Sequence, residues 1–261
     1  MDRAYLSIAA GDVAHAGNSE LFGELAKKLP FALEPTQTAA WEYQIEHLRW
    51  LAADLPDAHF FMEFLIPRMG RRADLIVLHA GIVFVVEYKL GARQFDRSAL
   101  DQVYGYGLDL KHFHETSHDR PVVPILVATE AVAESDQVVQ WDSDNLARPL
   151  RSSPASLTAI ISKVAGEVRS SSIDPARWVA GRYRPTPTIV EAAQALYRGH
   201  KVEEISRSEA GAENLTHTAD YVAQAIETAK REHRKIICFV TGVPGSGKTL
   251  AGLNLATARQ R

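Results

Sequence analysis

Between residues 38 and 54, Trp41, Ile45, Leu48 and, just beyond, Leu55 recur at helical spacing behind Thr38, a residue type suited to an N-cap. The spacing predicts an amphipathic helix over 38–54. Three runs rich in branched and aromatic residues follow, His59 to Ile66, Ala73 to His79 and Ile82 to Tyr88, punctuated by Pro67, Gly70, Gly81 and Gly91. They read as strands, and the short Ala80-Gly81 link predicts an antiparallel hairpin between the second and third. Asp96 stands as a candidate N-cap before the helical stripe Leu100, Val103, Leu110 and Phe113, and Val122 to Ala128 forms a further strand between Pro121 and Glu130. The expected order is αβββαβ, an α/β class.

A helical pattern over 157–168 leads to a segment with Pro175, Gly181, Pro185 and Pro187, where a domain boundary is expected. Helices over 189–197 and 216–232 and a strand from Ile236 to Val240 are predicted beyond it. The chain thus divides into an N-terminal extension (1–37), a first domain (38–175), a helical linker (176–234) and a terminal segment (235–261). No internal repeat or low-complexity tract interrupts it.

With 261 residues, 46% hydrophobic and 23% charged, the composition is that of a folded domain. The sequence contains no eighteen-residue apolar run and no signal-peptide pattern, so a cytoplasmic location without membrane attachment is expected. The single cysteine, Cys238, sits in an apolar run and reads as a small core thiol in a reducing compartment. A net charge of −3 confines any polyanion site to a local basic patch. His112, His114 and His118 lack the further ligands of a zinc site and read as a polar helix end. Trp41 and Trp50 are expected in the core, and the acid-rich stretch 130–144 on a solvated surface.

The strand over 82–89 is apolar on both faces until Glu87 and Lys89, which share one face because side chains alternate along a strand. Burying such charges is costly unless they pair or bind something charged. Asp74 begins the neighbouring strand of the hairpin, so two carboxylates could hold one Mg²⁺, leaving Lys89 to orient a water or offset developing charge. The implied reaction is phosphodiester hydrolysis, with Arg68, Arg71, Arg72, Arg93 and Arg97 as a local phosphate-binding patch. A Glu-x-Lys tripeptide alone is a weak signal and reads better as a surface ion pair at the frayed end of a strand. The hairpin, the flanking helices and Gln102 and Tyr106 one helical turn apart favour a site.

Asp74, Glu87-Tyr88-Lys89 and Gln102-Val103-Tyr104-Gly105-Tyr106 together resemble PD-(D/E)xK nucleases, especially the RecB-like branch with its Q-x-x-x-Y motif. The resemblance implies a restriction-endonuclease-like αβββαβ core with a mixed sheet. It further implies Asp74 and Glu87 as ligands of Mg²⁺ or Mn²⁺, Lys89 as the catalytic lysine, and Gln102 and Tyr106 as residues shaping the site. An acidic residue from the first helix is common in the family; Glu46 is the first choice and Glu42 the reserve. Ala73, not proline, precedes Asp74.

Gly242-Val243-Pro244-Gly245-Ser246-Gly247-Lys248-Thr249 matches G-x-x-x-x-G-K-T between a predicted strand and a predicted helix. Gly242, Gly245 and Gly247 would let backbone N–H groups surround phosphates, with Lys248 reaching the terminal phosphates and Thr249 a Mg²⁺ ion. Only twelve residues follow Thr249, so the chain is expected to be part of a longer protein, with ATP used only in the full-length form. Residues 182–207 leading to this loop, with 66–74 and 108–114, resemble bacterial proteins carrying a Schlafen group 3-like DNA/RNA helicase domain. That resemblance, over about 38–261, implies a nuclease joined to an ATP-driven motor in nucleic-acid processing or phage defence. DNA or RNA is the expected partner, and a homo-oligomer is left open. The rival readings are a nucleic-acid-binding module that does not cut and a structural adaptor for the motor.

Overall fold

The structure is a computed structural model describing residues 3–29, 34–66, 70–132, 136–183, 209–241, 248–249, 251–252 and 255. It divides into two units, Met1–Tyr183 and Arg184–Arg261.

The first unit is mixed α/β, built on a six-stranded mixed sheet in the order β1-β2-β3-β4-β5-β6. β1 (Leu6–Ala9), β2 (His59–Ile66), β3 (Arg71–His79) and β4 (Ile82–Lys89) run antiparallel, each to the next. β5 (Val122–Ala128) lies parallel to β4, and β6 (Leu150–Ser152) parallel to β5. The β3–β4 link is short because Ala80 and Gly81 both adopt positive φ (51° and 78°), the twist a two-residue hairpin requires. A Cβ on Gly81 would collide with the carbonyl oxygen of Ser171, so glycine is needed there. The parallel β4–β5 pair requires a crossover, which α4 (Arg97–Phe113) supplies.

Before this core, α1 (Ala10–Val13) and α2 (Asn18–Lys27) precede the long α3 (Pro35–Asp54). α3 begins three residues before the predicted start: Pro35 occupies the first turn and Glu34 is the N-cap. Thr38 instead lies inside that turn, its backbone N–H and hydroxyl both donating to the Glu34 carbonyl. Residues 6–27, read from sequence as an extension, supply an edge strand and two helices of this unit; β1 pairs with β2 from Leu6↔Met62 to Ala9↔His59. α5 (Pro154–Glu167) and α6 (Pro175–Val179) follow β6, α5 opening on a capping box between Ser153 and Ser156.

The sheet is covered on both sides. Phe60, Met62, Val77, Phe84 and Val86 pack with Trp41, Ile45 and Leu48 of α3 and Leu157 and Ile161 of α5. Phe61, Ile76, Val83 and Val85 pack with Val103, Tyr106 and Leu110 of α4 and Trp178 of α6. β4 is therefore a central strand with apolar side chains on both faces. Trp41 belongs to this core, but Trp50 is 67% exposed, because it falls outside the apolar stripe of α3. His114 also departs from the polar helix end expected of it: it is fully buried, stacks edge-on against Trp178 at 4.7 Å and bonds Ser117 Oγ at 2.8 Å. Burial pushes its pKa down to about 3.

In the second unit, α7 (Glu209–Arg231) starts seven residues earlier than predicted. Ile236 to Val240 forms no strand; Phe239 is 86% exposed and Cys238 is exposed as well, correcting the expectation of a core thiol. A strand needs a neighbour for its backbone groups, and none among the described residues pairs with it. Gly242, Gly245, Gly247 and the helix predicted over 189–197 lie outside the described residues, whereas Lys248 and Thr249 are helical. Among the described residues, no helix is long and apolar enough to cross a membrane.

Candidate active site

The site grows from the open end of the β3–β4 hairpin. The paired register of β3 and β4 ends at Leu75↔Val86, and one further step sets Asp74 opposite Glu87. There the ladder gives way to a side chain: Asp74 Oδ2 accepts the Tyr88 backbone N–H at 2.7 Å. Glu87 and Lys89 project from the same face of β4, and Lys89 Nζ lies 3.0 Å from Glu87 Oε1.

The first turns of α4 pass over this pair. Gln102 Nε2 donates to Glu87 Oε1 at 2.7 Å and to the Tyr106 hydroxyl at 2.8 Å, while its Oε1 accepts from Lys89 Nζ at 3.2 Å. An amide suits this position because it donates to the carboxylate and accepts from the ammonium at once. Asp74, Glu87, Lys89, Gln102 and Tyr106, all anticipated from sequence, are thus brought together.

Burial pushes the Asp74 carboxyl well above its ordinary pKa, and the Glu87 charge adds to the shift. Burial raises Glu87 too, opposed by Lys89 and, more weakly, by the backbone N–H of Asp74 beside the carboxylate. Glu87 is only 4% exposed. Its Oε1 has two donors, yet its Oε2 is buried with no hydrogen-bond partner among the described residues. An orphaned buried carboxylate oxygen beside a second carboxylate fits a hard divalent cation, which takes oxygen ligands and keeps part of its water shell. No group of three or more His, Cys, Asp or Glu residues among the described residues is arranged to hold a metal, so water would complete such a shell.

Glu46, the acid chosen from the first helix, is exposed, as is Glu42. The sheet-facing stripe of α3 carries Trp41, Gln44, Ile45, His47 and Leu48, and the 3.6-residue period turns positions 42 and 46 away from it. The structure therefore does not bring Glu46 into the cluster. An acid that sequence reasoning missed is Glu63 of β2. It has a positive φ of 52°, and its Oε1 accepts from Trp41 Nε1 at 2.8 Å. Burial raises its pKa, and its charge contributes to raising both Asp74 and Glu87. The signal was present as a lone acid in the apolar run His59-Phe60-Phe61-Met62-Glu63-Phe64-Leu65-Ile66.

Behind β4, the Tyr88 hydroxyl lies 2.8 Å from His47 Nδ1, and His47 Nε2 lies 3.0 Å from the Pro154 carbonyl. A carbonyl only accepts, so Nε2 carries the proton and Nδ1 accepts from Tyr88. Burial lowers the His47 pKa, in keeping with this neutral ring.

The expected basic patch is reduced. Arg72 donates to the Glu63 carbonyl at 2.6 Å and lies 3.9 Å over the Tyr5 ring, a structural role. Arg93 pairs with Glu130 at 2.8 Å, Arg97 is exposed beside Asp101, and Arg68 lies outside the described residues. Arg71, Lys89, Gln102 and Ala40 instead line a groove of about 720 Å³ at the Lys89–Gln102 side of the cluster.

No family model, curated protein or solved structure matches the chain. The functional reading therefore rests on the geometry and on the sequence motifs.

Proposed function

We propose that this site hydrolyses phosphodiester bonds in DNA or RNA with a bound divalent cation, Mg²⁺ or Mn²⁺. The observation that carries the reading is the state of Glu87: one carboxylate oxygen saturated by Lys89 and Gln102, the other buried without a partner among the described residues. The element order from α3 to β5, three antiparallel strands and then a parallel one, supports a restriction-endonuclease-like core.

Asp74 and Glu87 would hold the cation, which when bound supplies a Lewis acid for a phosphoryl oxygen and acidifies water. Lys89 spends two of its three N–H donors on Glu87 and Gln102, which leaves one for a phosphate oxygen in the groove. Gln102 keeps Glu87 and Lys89 in fixed relation, and Tyr106 fixes Gln102 in turn. Arg71, at the groove wall, offers positive charge to the backbone of the substrate.

A second and separate proposal concerns Gly242 to Thr249: the G-x-x-x-x-G-K-T pattern would cradle nucleotide phosphates, as in an ATP-driven motor, and the helical state of Lys248 and Thr249 supports it.

The nuclease reading is tested by incubating chelator-stripped protein with labelled single- and double-stranded DNA and RNA. Cleavage of at least one substrate with Mg²⁺ or Mn²⁺, abolished by chelator, is expected. Retention of nucleic acid without cleavage of any substrate would replace the nuclease with a binding module.

A further inference from the structure

Gln44 is 5% exposed, and its side-chain Oε1 is buried with no hydrogen-bond partner among the described residues. It is the middle member of a stripe on α3, Trp41, Gln44 and His47, each three residues from the next. The two outer members are anchored. Trp41 Nε1 reaches Glu63 on β2, and His47 Nδ1 reaches the Tyr88 hydroxyl on β4.

Between β2 and β4 lies β3. The pairs Met62↔Leu75 and Phe64↔Ala73 set Glu63 across from Asp74, and Asp74 accepts the backbone N–H of Tyr88. The β3 position lying between the two anchors is therefore Asp74, and the residue of α3 lying between them is Gln44. Ala40, one turn before Gln44, lines the groove with Tyr88, Lys89 and Gln102, so this face of α3 borders the groove one turn from Gln44.

We infer that Gln44 is a positioning residue of the site, its Oε1 accepting a hydrogen bond from a water carried by the cation at Asp74 and Glu87. The inference rests on the cation reading above. Gln44 Oε1 and Glu87 Oε2 both lack a donor among the described residues, and a hydrated divalent cation supplies charge for the carboxylate and polarised O–H donors for the amide. A neutral oxygen also serves where Glu63, Asp74 and Glu87 already crowd negative charge. No residue of α3 then needs to touch the cation itself.

The test is Mn²⁺ binding to the whole chain, followed by paramagnetic resonance of the free ion, for wild type, Gln44→Met, Gln44→Glu and Glu87→Gln. Gln44→Met keeps the side-chain length and removes the acceptor. It is expected to bind Mn²⁺ about tenfold more weakly, while its melting temperature without metal is unchanged or higher, because an unsatisfied buried oxygen has gone. Gln44→Glu, which keeps an acceptor, is expected to bind at least as tightly as wild type. Wild-type affinity in Gln44→Met, or equal weakening in both Gln44 variants, would overturn the inference. Unchanged affinity in Glu87→Gln would instead overturn the cation reading on which it rests.

Discussion

The amide nitrogen of Gln102 lies 2.7 Å from Glu87 Oε1, joining the start of α4 to the end of the central strand. Because the same amide accepts from Lys89, its two ends are not interchangeable. Gln102→Glu would set a second carboxylate against Glu87 and remove the donor. Single-turnover cleavage is expected to fall by on the order of 100-fold, and Gln102→Ala by less. A rate for Gln102→Glu close to wild type would show that Gln102 has no part in ordering the site.

Lys89 and the carboxylates are expected to separate by readout. Lys89→Met removes a donor to the phosphate and should slow cleavage about 100- to 1,000-fold. Its Mn²⁺ affinity should hold or rise, because a competing positive charge has left Glu87. Loss of Mn²⁺ binding in Lys89→Met would mean that the lysine shapes the carboxylates rather than acting on substrate.

The metal-free protein should carry the strain of its carboxylates in its pH profile. Asp74 and Glu87 have folded pKa values raised above those of the unfolded chain. Their contribution is thus favourable below the unfolded range near about 4 and is lost as pH rises through the raised folded values. Asp74→Asn should raise the melting temperature of metal-free protein at pH 7 and change it little at pH 4. Mn²⁺ should stabilise wild type more at pH 7 than at pH 5, because bound carboxylates must be ionised. Thermal scans at these pH values, with and without metal, check both statements.

The brace behind β4 should register mainly in stability. Tyr88→Phe leaves the buried His47 Nδ1 without its donor, at a cost of about 1–3 kcal/mol. Denaturant unfolding should show that loss, with a smaller decrease in cleavage. A variant as stable as wild type would show that the Tyr88–His47 bond contributes nothing to holding the strand.

Some of this architecture was legible in the sequence because the physics acting there is local. Val122 to Ala128 and His59 to Ile66 are apolar runs closed by proline and polar residues, and both are strands with those bounds. Glu87 and Lys89 stood out as charges ending an otherwise apolar central strand. The short β1 and β6, of four and three residues, carry too few positions for a period to show, and pairing with a neighbour defines them. Glu46 is exposed, a placement that helix phase already indicates, since Trp41, Ile45 and Leu48 mark the buried face. Glu63 and Gln44 were less accessible. Their importance lies in what β2, β3 and α3 bring side by side, a tertiary relation that no periodicity encodes. Ile236 to Val240 shows the opposite limit: strand-like composition forms no strand without a paired neighbour.

On the proposed reading, Glu87 and Asp74 hold the cation that promotes phosphodiester cleavage. The most direct measurement is the initial rate of Mn²⁺-dependent cleavage by wild type, Asp74→Asn and Glu87→Gln, compared at equal protein and metal with folding checked by circular dichroism. Metal-dependent product from wild type and a loss of at least about 100-fold in both folded variants are predicted; cleavage at the wild-type rate in either folded variant would contradict this role for the two carboxylates.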